Sequence, residues 1–375
     1  TAPNSRLPTA IPPPTHSVSE KIGDSPSLEC YFDSTRYLTE INNPFAADAY
    51  PWLSSDGLRL YFTKQNNGEQ LSLAKRNNLQ SPFQMPVNVP LPDFGASLTS
   101  CWLSENELGV YFCGGGQLYY SSRQSLNDGF TSYVPVTLLG LKPEFLAGAS
   151  LNEAGTELFL YTYTHPNGYI SQYAKVAEHA FLFQRYLTLP DGYGANPGQL
   201  SKDDLSIYFG LQVDSVNRVI ARMTRPTPVD TFALETLELI PGVSQDGIYN
   251  AMPTLSADEK WMVFVRATAD AWEANELCIT QCDSNLVSVF APETGRWSVY
   301  PNPTNNVVYI TGPLEGELRA DIISIGGAII QSETLDVVAS NRELHLGNLP
   351  VGLYFLKLYS DNQVLGVKKL VKNQE

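Results

Sequence analysis

The sequence predicts an all-β chain: a five-bladed β-propeller followed by a small Ig-like β-sandwich. Three observations predict it. A short motif returns five times at intervals near fifty residues, each interval holds four strand-like stretches, and the end of the chain changes to a separate set of alternating strands. Composition agrees, since charged residues are scarce at 17% while Gly (27), Pro (26) and Tyr (20) are plentiful. Such a balance serves short strands and tight turns better than helices, which draw on Ala, Leu, Glu and Lys.

The N-terminal stretch 1–27 is rich in Pro and Ser and contains Pro12-Pro13-Pro14. It has little apolar surface to bury and is expected to be an extended arm. The chain begins at Thr1 rather than Met, as expected of a product whose signal peptide has been removed.

The repeat occupies 28–290. Its first copy reads Pro51-Trp52-Leu53-Ser54-Ser55-Asp56-Gly57, then Leu58-Arg59-Leu60-Tyr61-Phe62. It returns as Cys101-Trp102-Leu103-Ser104 with Gly109 to Phe112, and as Ser150-Leu151-Asn152 with Leu158 to Tyr161. Gln199-Leu200-Ser201 with Ile207 to Phe209, and Thr254-Leu255-Ser256 with Met262 to Phe264, complete the set. The leucines at 53, 103, 151, 200 and 255 are spaced by 50, 48, 49 and 55. Each copy is a hairpin: Asp56-Gly57 tolerates positive φ, and alternate strand residues face opposite sides. A third strand follows at Gln70–Ala74, Gln117–Ser121, Tyr169–Ala174, Val219–Met223 and Glu276–Thr280, and a fourth near Phe83, Phe130, Phe183 and Phe232. Four strands per repeat make a propeller blade.

These copies resemble the WD40-like PD40 repeats of TolB-type propellers, whose signature is a Leu-Ser-x-Asp-Gly turn followed by Leu-Tyr-Phe. The first copy matches best. The third and fifth depart at the turn, with Asn152-Glu153-Ala154-Gly155 and Ser256-Ala257-Asp258-Glu259.

The fifth copy lacks an evident fourth strand. Arg36-Tyr37-Leu38-Thr39 repeats Arg185-Tyr186-Leu187-Thr188, which holds the fourth-strand position of its own repeat. Residues of about 30–41 are therefore expected to supply the outer strand of the last blade and close the ring. Six blades is the alternative.

Five cysteines stand at 30, 101, 113, 278 and 282. In a secreted protein they predict disulfides with one thiol left over. Cys101 and Cys113 flank one hairpin and are expected to pair. Cys30, at the start of the closing strand, is expected to bond Cys282, with Cys278 as second choice. A bond closing so long a loop stabilises by roughly 3–5 kcal/mol on a chain-entropy model. No His or further Cys completes a tetrahedral metal set around the Cys278/Cys282 pair.

After a linker at 291–296, residues 297–375 alternate apolar and polar across strands divided by Gly and Asn turns, as in a small sandwich. Tyr300-Pro301-Asn302-Pro303 opens this stretch, Gly352-Leu353-Tyr354 follows, and Lys368-Lys369-Leu370-Val371-Lys372 closes it. In that order the three pieces closely resemble the type A C-terminal sorting domain of the Bacteroidota type IX secretion system. The resemblance implies periplasmic transit, recognition by the secretion machinery, and an extracellular or cell-surface destination. In that family the domain is usually cleaved off.

Chemistry is sparse. A formal charge of −15 argues against nucleic acid, because the only dense basic run is Lys368, Lys369 and Lys372. No apolar stretch approaches the length of a membrane span. His165 and His179 are the propeller histidines, and neither accompanies a nucleophile motif. Gly114-Gly115-Gly116 precedes no helix and reads as a turn, not a phosphate loop. Asp56, Glu105, Asp203-Asp204 and Asp258 recur at the hairpin turn and read as turn formers. Asp93, Asp191 and Asp246 lie between blades and are the candidates for an acid–base pair. Ca2+ is open on these carboxylates, but no EF-hand loop supports it.

Binding is the more natural use of a propeller. Connections into the innermost strands are expected to place Asp48, Tyr50, Ser100, Asn196, Tyr249 and Asn250 at the channel mouth. Tyr50, Trp52, Trp102 and Tyr193 offer faces for stacking on sugars, although the equivalent positions of Trp52 and Trp102 favour blade packing. The sequence thus points to a secreted, non-enzymatic protein that binds a carbohydrate or other surface polymer. The alternatives are a structural subunit of an extracellular filament, assembled through the N-terminal arm, and a glycan hydrolase or lyase.

Overall fold

The computed structural model is all-β, and it describes residues 31–32, 35–43, 47–65, 69–143, 146–162, 168–190, 192–212, 218–240, 243, 248–268, 275–283, 297–312, 314, 316–324, 329–335, 342–361 and 363–372. The expected arm at 1–27 and linker at 291–296 lie outside them, as do Cys30, His165, Asp191 and Asp246. No helix among the described residues is long and apolar enough to cross a membrane.

Strands β1 (Tyr31–Phe32) and β2 (Arg36–Tyr37) come first. A four-stranded sheet follows, of β3 (Ala47–Leu53), β4 (Arg59–Gln65), β5 (Glu69–Lys75) and β6 (Val87–Asn88). The second holds β7 (Leu98–Leu103), β8 (Gly109–Gly114), β9 (Gln117–Ser122) and β10 (Val134–Pro135). In the third, β12 (Leu146–Leu151), β13 (Glu157–Thr162), β14 (Tyr169–Ala177) and β15 (Ala180–Tyr186) are joined at the outer edge by β11 (Thr137–Leu139), parallel to β15. The fourth group is β16 (Gly194–Leu200), β17 (Ser206–Gln212), β18 (Arg218–Thr224) and β19 (Glu238–Leu239). The fifth is β20 (Ile248–Leu255), β21 (Trp261–Thr268) and β22 (Glu276–Asp283). A single parallel pairing, Arg218 with Tyr249, fuses these last two groups into one sheet.

Both N-terminal strands pair antiparallel with β22, placing Phe32 opposite Cys282 and Tyr37 opposite Cys278. Successive sheets pack face to face, each boundary filled by its own core. Trp52 and Tyr61 meet Val110 and Phe112, Tyr111 and Cys113 meet Leu158 and Tyr173, and Phe159 meets Phe209 and Val219. Tyr208 and Ile220 meet Met262 and Phe264, and the fifth sheet meets the first through Val263, Val265, Leu60 and Phe62.

Local chemistry explains why five divergent turns agree. In four of them a side-chain oxygen of Asp56, Asn106, Asp203 or Asp258 accepts the hydroxyl of the Ser two residues earlier and the N–H two residues later. Asn152 does this work in the third, accepting Thr156 N–H at 2.8 Å and Glu157 N–H at 2.9 Å. The third residue after each Ser or Asn is left-handed, with φ of +70° at Gly57, +58° at Glu107, +64° at Gly155, +61° at Asp204 and +55° at Glu259. Glycine takes this conformation freely, whereas a side chain there costs about 1 kcal/mol. Glu105 corrects the sequence reading: Asn106 forms its turn, and Glu105 points elsewhere.

The fourth strands also need correction. Phe83, Phe130 and Phe232 precede β6, β10 and β19 and instead cover buried guanidinium groups, with Arg76, Arg123 and Arg225 at 4.7, 4.8 and 4.7 Å from the ring centres. Each Arg Nε donates to a turn carbonyl of its own hairpin, Gly57, Glu107 or Asp204. This Arg–Phe clasp ties the third strand to the turn in three repeats.

The C-terminal part is a two-sheet sandwich. One sheet is β23 (Ser298–Tyr300), β24 (Val307–Thr311) and β27 (Arg342–His345). The other is β25 (Leu318–Ser324), β26 (Ile329–Leu335), β28 (Gly352–Ser360) and β29 (Gln363–Lys372). Trp297, Val308, Ile310, Ile322, Leu356 and Leu370 fill the space between them.

Candidate functional site

Strands β3, β7, β12, β16 and β20 each carry a register shift at the matching position: Ala49/Trp52, Leu98/Ser100, Leu146/Gly148, Asn196/Gly198 and Ala251/Thr254. A bulge re-aims side chains, and here the bulged stretches line one small pocket, with Tyr50, Pro51, Ser100, Gly148, Pro197, Met252 and Pro253 in its wall. Three bulges contain proline, at 51, 197 and 253. Proline cannot donate within a central ladder, so Tyr50-Pro51, Asn196-Pro197 and Met252-Pro253 were the sequence signal for these bulges.

Above that cavity lies a depression of about 530 Å³, open to solvent on the side of the hairpin turns. Trp52, Trp102 and Gln199 line both spaces. The rim is the residue after the Ser or Asn of each turn: Ser55, Glu105, Glu153, Lys202 and Ala257. Glu105 bridges it, accepting from Ser55 Oγ at 2.5 Å and pairing with Lys202 Nζ at 3.3 Å. One wall is tied by a chain of donors: Leu53 N–H donates to Thr254 Oγ1 at 2.9 Å, and that hydroxyl donates to Gln199 Oε1.

The two tryptophans do pack. Trp52 meets Tyr61 edge-on at 5.8 Å, and Trp102 meets Tyr111 at 6.1 Å. Yet both indole nitrogens are buried without a hydrogen-bond acceptor. An unpaired buried donor costs about 1–3 kcal/mol.

The residues expected at the channel mouth fall into two groups. Tyr50 and Ser100 line the lower cavity. Asp48, Asn196, Tyr249 and Asn250 are buried in the walls. Asp48 accepts Asn43 N–H at 2.9 Å, Asn250 accepts Arg266 Nε–H at 2.9 Å, and the Arg218 guanidinium lies 4.4 Å from the Tyr249 ring centre. Tyr193 packs against the core between the third and fourth groups and lines neither space. Asp93 caps a turn by accepting Gly95 N–H at 2.9 Å. His179 stacks on Tyr120 at 4.3 Å, and burial lowers its pKa. No cluster of three or more His, Cys, Asp or Glu able to hold a metal occurs among the described residues.

Cys101 and Cys113 are free, buried thiols, contrary to the expected bond. Cys101 pairs across the ladder with Phe112, and Cys113 with Ser100, so the two thiols leave opposite faces of the sheet. One packs toward the first sheet and the other toward the third. Cys278 is also free, so it does not serve as the second-choice partner. Cys282 is disulfide-bonded.

In the C-terminal sandwich, Asn302 anchors the opening turn: its amide donates to Lys369 O at 2.7 Å, and its oxygen accepts Val371 N–H at 2.9 Å. The peptide bonds before Pro301 and Pro303 are cis, and Tyr300 is exposed. Tyr354 donates to Pro350 O at 2.7 Å. The three lysines diverge. Lys368 lies over Trp297 at 5.1 Å, and Lys372 is buried with its ammonium on the carbonyls of Leu346, Gly347 and Leu349. Lys369 turns outward, to the fourth group.

Residues 298–373 match the family described as Secretion system C-terminal sorting domain. The chain therefore carries a sorting tail, which marks it as cargo of the type IX machinery bound for the outside of the cell or its surface. No curated protein matches it. Among solved structures it is weakly similar to a putative TolB from Agrobacterium tumefaciens, at 15% identity over 77% of this chain and 80% of that one, TM-score 0.37. TolB from Acinetobacter baumannii gives 16% identity over 73% and 63%, TM-score 0.37. PorZ, a surface component of the type-IX secretion system of Porphyromonas gingivalis, gives 12% over 91% and 46%, TM-score 0.33. The chain spans less than two thirds of the Acinetobacter and PorZ chains.

Proposed function

We propose that the five strand groups are the blades of a β-propeller closed by β1 and β2, and that the chain is a secreted, non-enzymatic binding protein. The ligand is a carbohydrate or similar polyhydroxylated surface polymer, received at the hairpin-turn mouth of the channel. One observation carries this reading: equivalent residues of all five repeats converge on the same opening, with Ser55, Glu105, Glu153 and Lys202 at its rim and two tryptophans below. Carboxylates and an ammonium group suit hydroxyls as acceptors and donors, and apolar walls suit the faces of sugar rings. The pairing of β1 and β2 with β22, and the core between the fifth sheet and the first, support the closed ring. Export through residues 298–373 would deliver the site to the surface polymers it is built to meet.

A glycan array followed by titration of the best binder, read by tryptophan fluorescence, tests the proposal. Glu105→Gln and Lys202→Gln are expected to weaken binding about tenfold each, or about 1.4 kcal/mol, without loss of fold. An array with no binder, or a binder indifferent to both substitutions and to Trp102→Ala, would overturn it.

A further inference from the structure

The sorting domain meets the fourth group through its last strand. Lys369 Nζ donates to three main-chain carbonyls, Glu235 at 2.8 Å, Leu237 at 3.1 Å and Leu234 at 3.2 Å. These belong to the 3-10 turn Leu234–Thr236 and the residue after it. An ammonium has three N–H donors and no acceptor, so a tripod of carbonyls satisfies it completely. Burial pushes the Lys369 pKa down to about 8, while Glu235 and Glu238 hold it up.

Two further contacts join the same two parts of the chain. Val371, two residues along and on the same face of β29, packs against the core that contains Phe232 and Leu237. Gly352, on the adjoining strand, faces Tyr193 so closely that a methyl group there would sit 3.1 Å from the hydroxyl. Tyr354 also senses Tyr193 electrostatically. Gly352, Tyr354 and Lys369 are among the residues that mark the sorting motif in the sequence. Lys368 lies half-exposed over Trp297, and Lys372 is spent inside the sandwich.

We propose that the fourth sheet is a receptor for the chain's own sorting domain, keyed by the Lys369 ammonium, and that the docked face is closed to a second protein until it is released. The inference is independent of what the channel binds. A secretion component that reads Gly352, Tyr354 or Lys369 must displace Tyr193 and the carbonyl tripod first.

The receptor can be disturbed without touching the sorting domain. Glu235 is exposed beside the tripod, so Glu235→Lys sets a like charge against Lys369. In the full chain, hydrogen exchange of 234–240 and of β29 is expected to rise at least about tenfold in Glu235→Lys and in Lys369→Met, with β24 and β27 unchanged. Lys368→Met should leave 234–240 as in the native chain. Acetylation by an N-hydroxysuccinimide ester at pH 7.5 gives a second reading. A lysine of lowered pKa labels fast when open to solvent, so slow labelling of Lys369 reports cover. It is expected to label at least about tenfold more slowly than Lys368 in the native chain, and Glu235→Lys should abolish the gap. Equal labelling of the two lysines in the native chain, or exchange in 234–240 that is unmoved by both variants, would overturn the proposal.

Discussion

The Tyr61 hydroxyl donates to Glu107 Oε2 at 2.7 Å, across the boundary between the first and second sheets. Arg59 Nε holds the other oxygen at 2.6 Å, and Arg123 donates to the Tyr61 oxygen at 2.8 Å. Burial, then the adjacent carboxylate, pushes the Tyr61 pKa up, so the phenol stays a donor. The fourth and fifth repeats make the same bond between Tyr208 and Glu259. Glu107 and Glu259 both sit at the left-handed turn position, where Gly57 and Gly155 stand in other repeats. In these two repeats the bond to the preceding hairpin's tyrosine offsets the backbone cost of a side chain at that position.

Glu107→Ala is therefore expected to cost about 3 kcal/mol, because it takes the acceptor from the buried Tyr61 hydroxyl and a carboxylate from Arg59 while keeping the strained φ. Glu107→Gly loses the same carboxylate but relaxes the turn, and should be less destabilising by about 1 kcal/mol. Urea unfolding of both variants checks the order. An alanine variant as stable as the glycine one would mean that the turn carries no strain.

The cysteines separate by reactivity. Burial pushes the Cys101, Cys113 and Cys278 thiols up to about 12. In the native chain none should react with Ellman's reagent at pH 8, and unfolding without reductant should release all three. A release of one equivalent would restore a Cys101–Cys113 bond. Peptide mapping of the unreduced chain is expected to recover Cys282 joined to Cys30, which would fasten the N-terminal strand to β22.

Much of the fold was legible because it rests on local chemistry. Leu-Ser-x-Asp fixes a turn by side-chain bonds within five residues, so Asp56, Asp203 and Asp258 could be read directly. The strand Arg36–Tyr37 was found by its likeness to Arg185–Tyr186. Contacts between repeats were not legible. Glu105 looks like a turn residue until Ser55 and Lys202 are seen beside it, and Glu107 looks ordinary until Tyr61 arrives from the previous hairpin. The phenylalanines at 83, 130 and 232 looked like strand residues, because an aromatic covering an arginine has the same local pattern. The expected mouth residues Asp48, Asn196 and Asn250 were sought at strand entrances, whereas the bulges at Pro51, Pro197 and Pro253 aim the wall further along.

The rim pair offers a clean separation of binding from stability. Glu105 and Lys202 side chains are 43% and 46% exposed, so their bridge is screened by water and salt. Lys202→Gln is expected to change unfolding free energy by less than about 0.5 kcal/mol. A larger loss by urea unfolding would show that Lys202 closes the mouth as a structural strut.

Asp48 should make the chain less stable as pH rises through the mildly acidic range. It is fully buried, Oδ2 accepts Asn43 N–H, and Oδ1 has no hydrogen-bond partner. Burial raises its pKa from 3.8 to about 6, with Glu276 adding to the rise and the Asn43 bond and Lys64 opposing it. The folded-state pKa lies above the unfolded one, so between about pH 4 and pH 6 the native chain holds a proton that the unfolded chain has released. Stability from this group is then present at low pH and lost as pH climbs through that window, by up to roughly 3 kcal/mol. Asp48→Asn keeps the acceptor for Asn43 and cannot ionise. It should match the native chain near pH 4 and exceed it by about 1–3 kcal/mol at pH 8. Urea unfolding at successive pH values gives the difference between the two chains, which should climb between pH 4 and pH 6 and then level. A difference that stays constant across that range would mean that Asp48 is ionised throughout, and that its charge is met by a group on the protein.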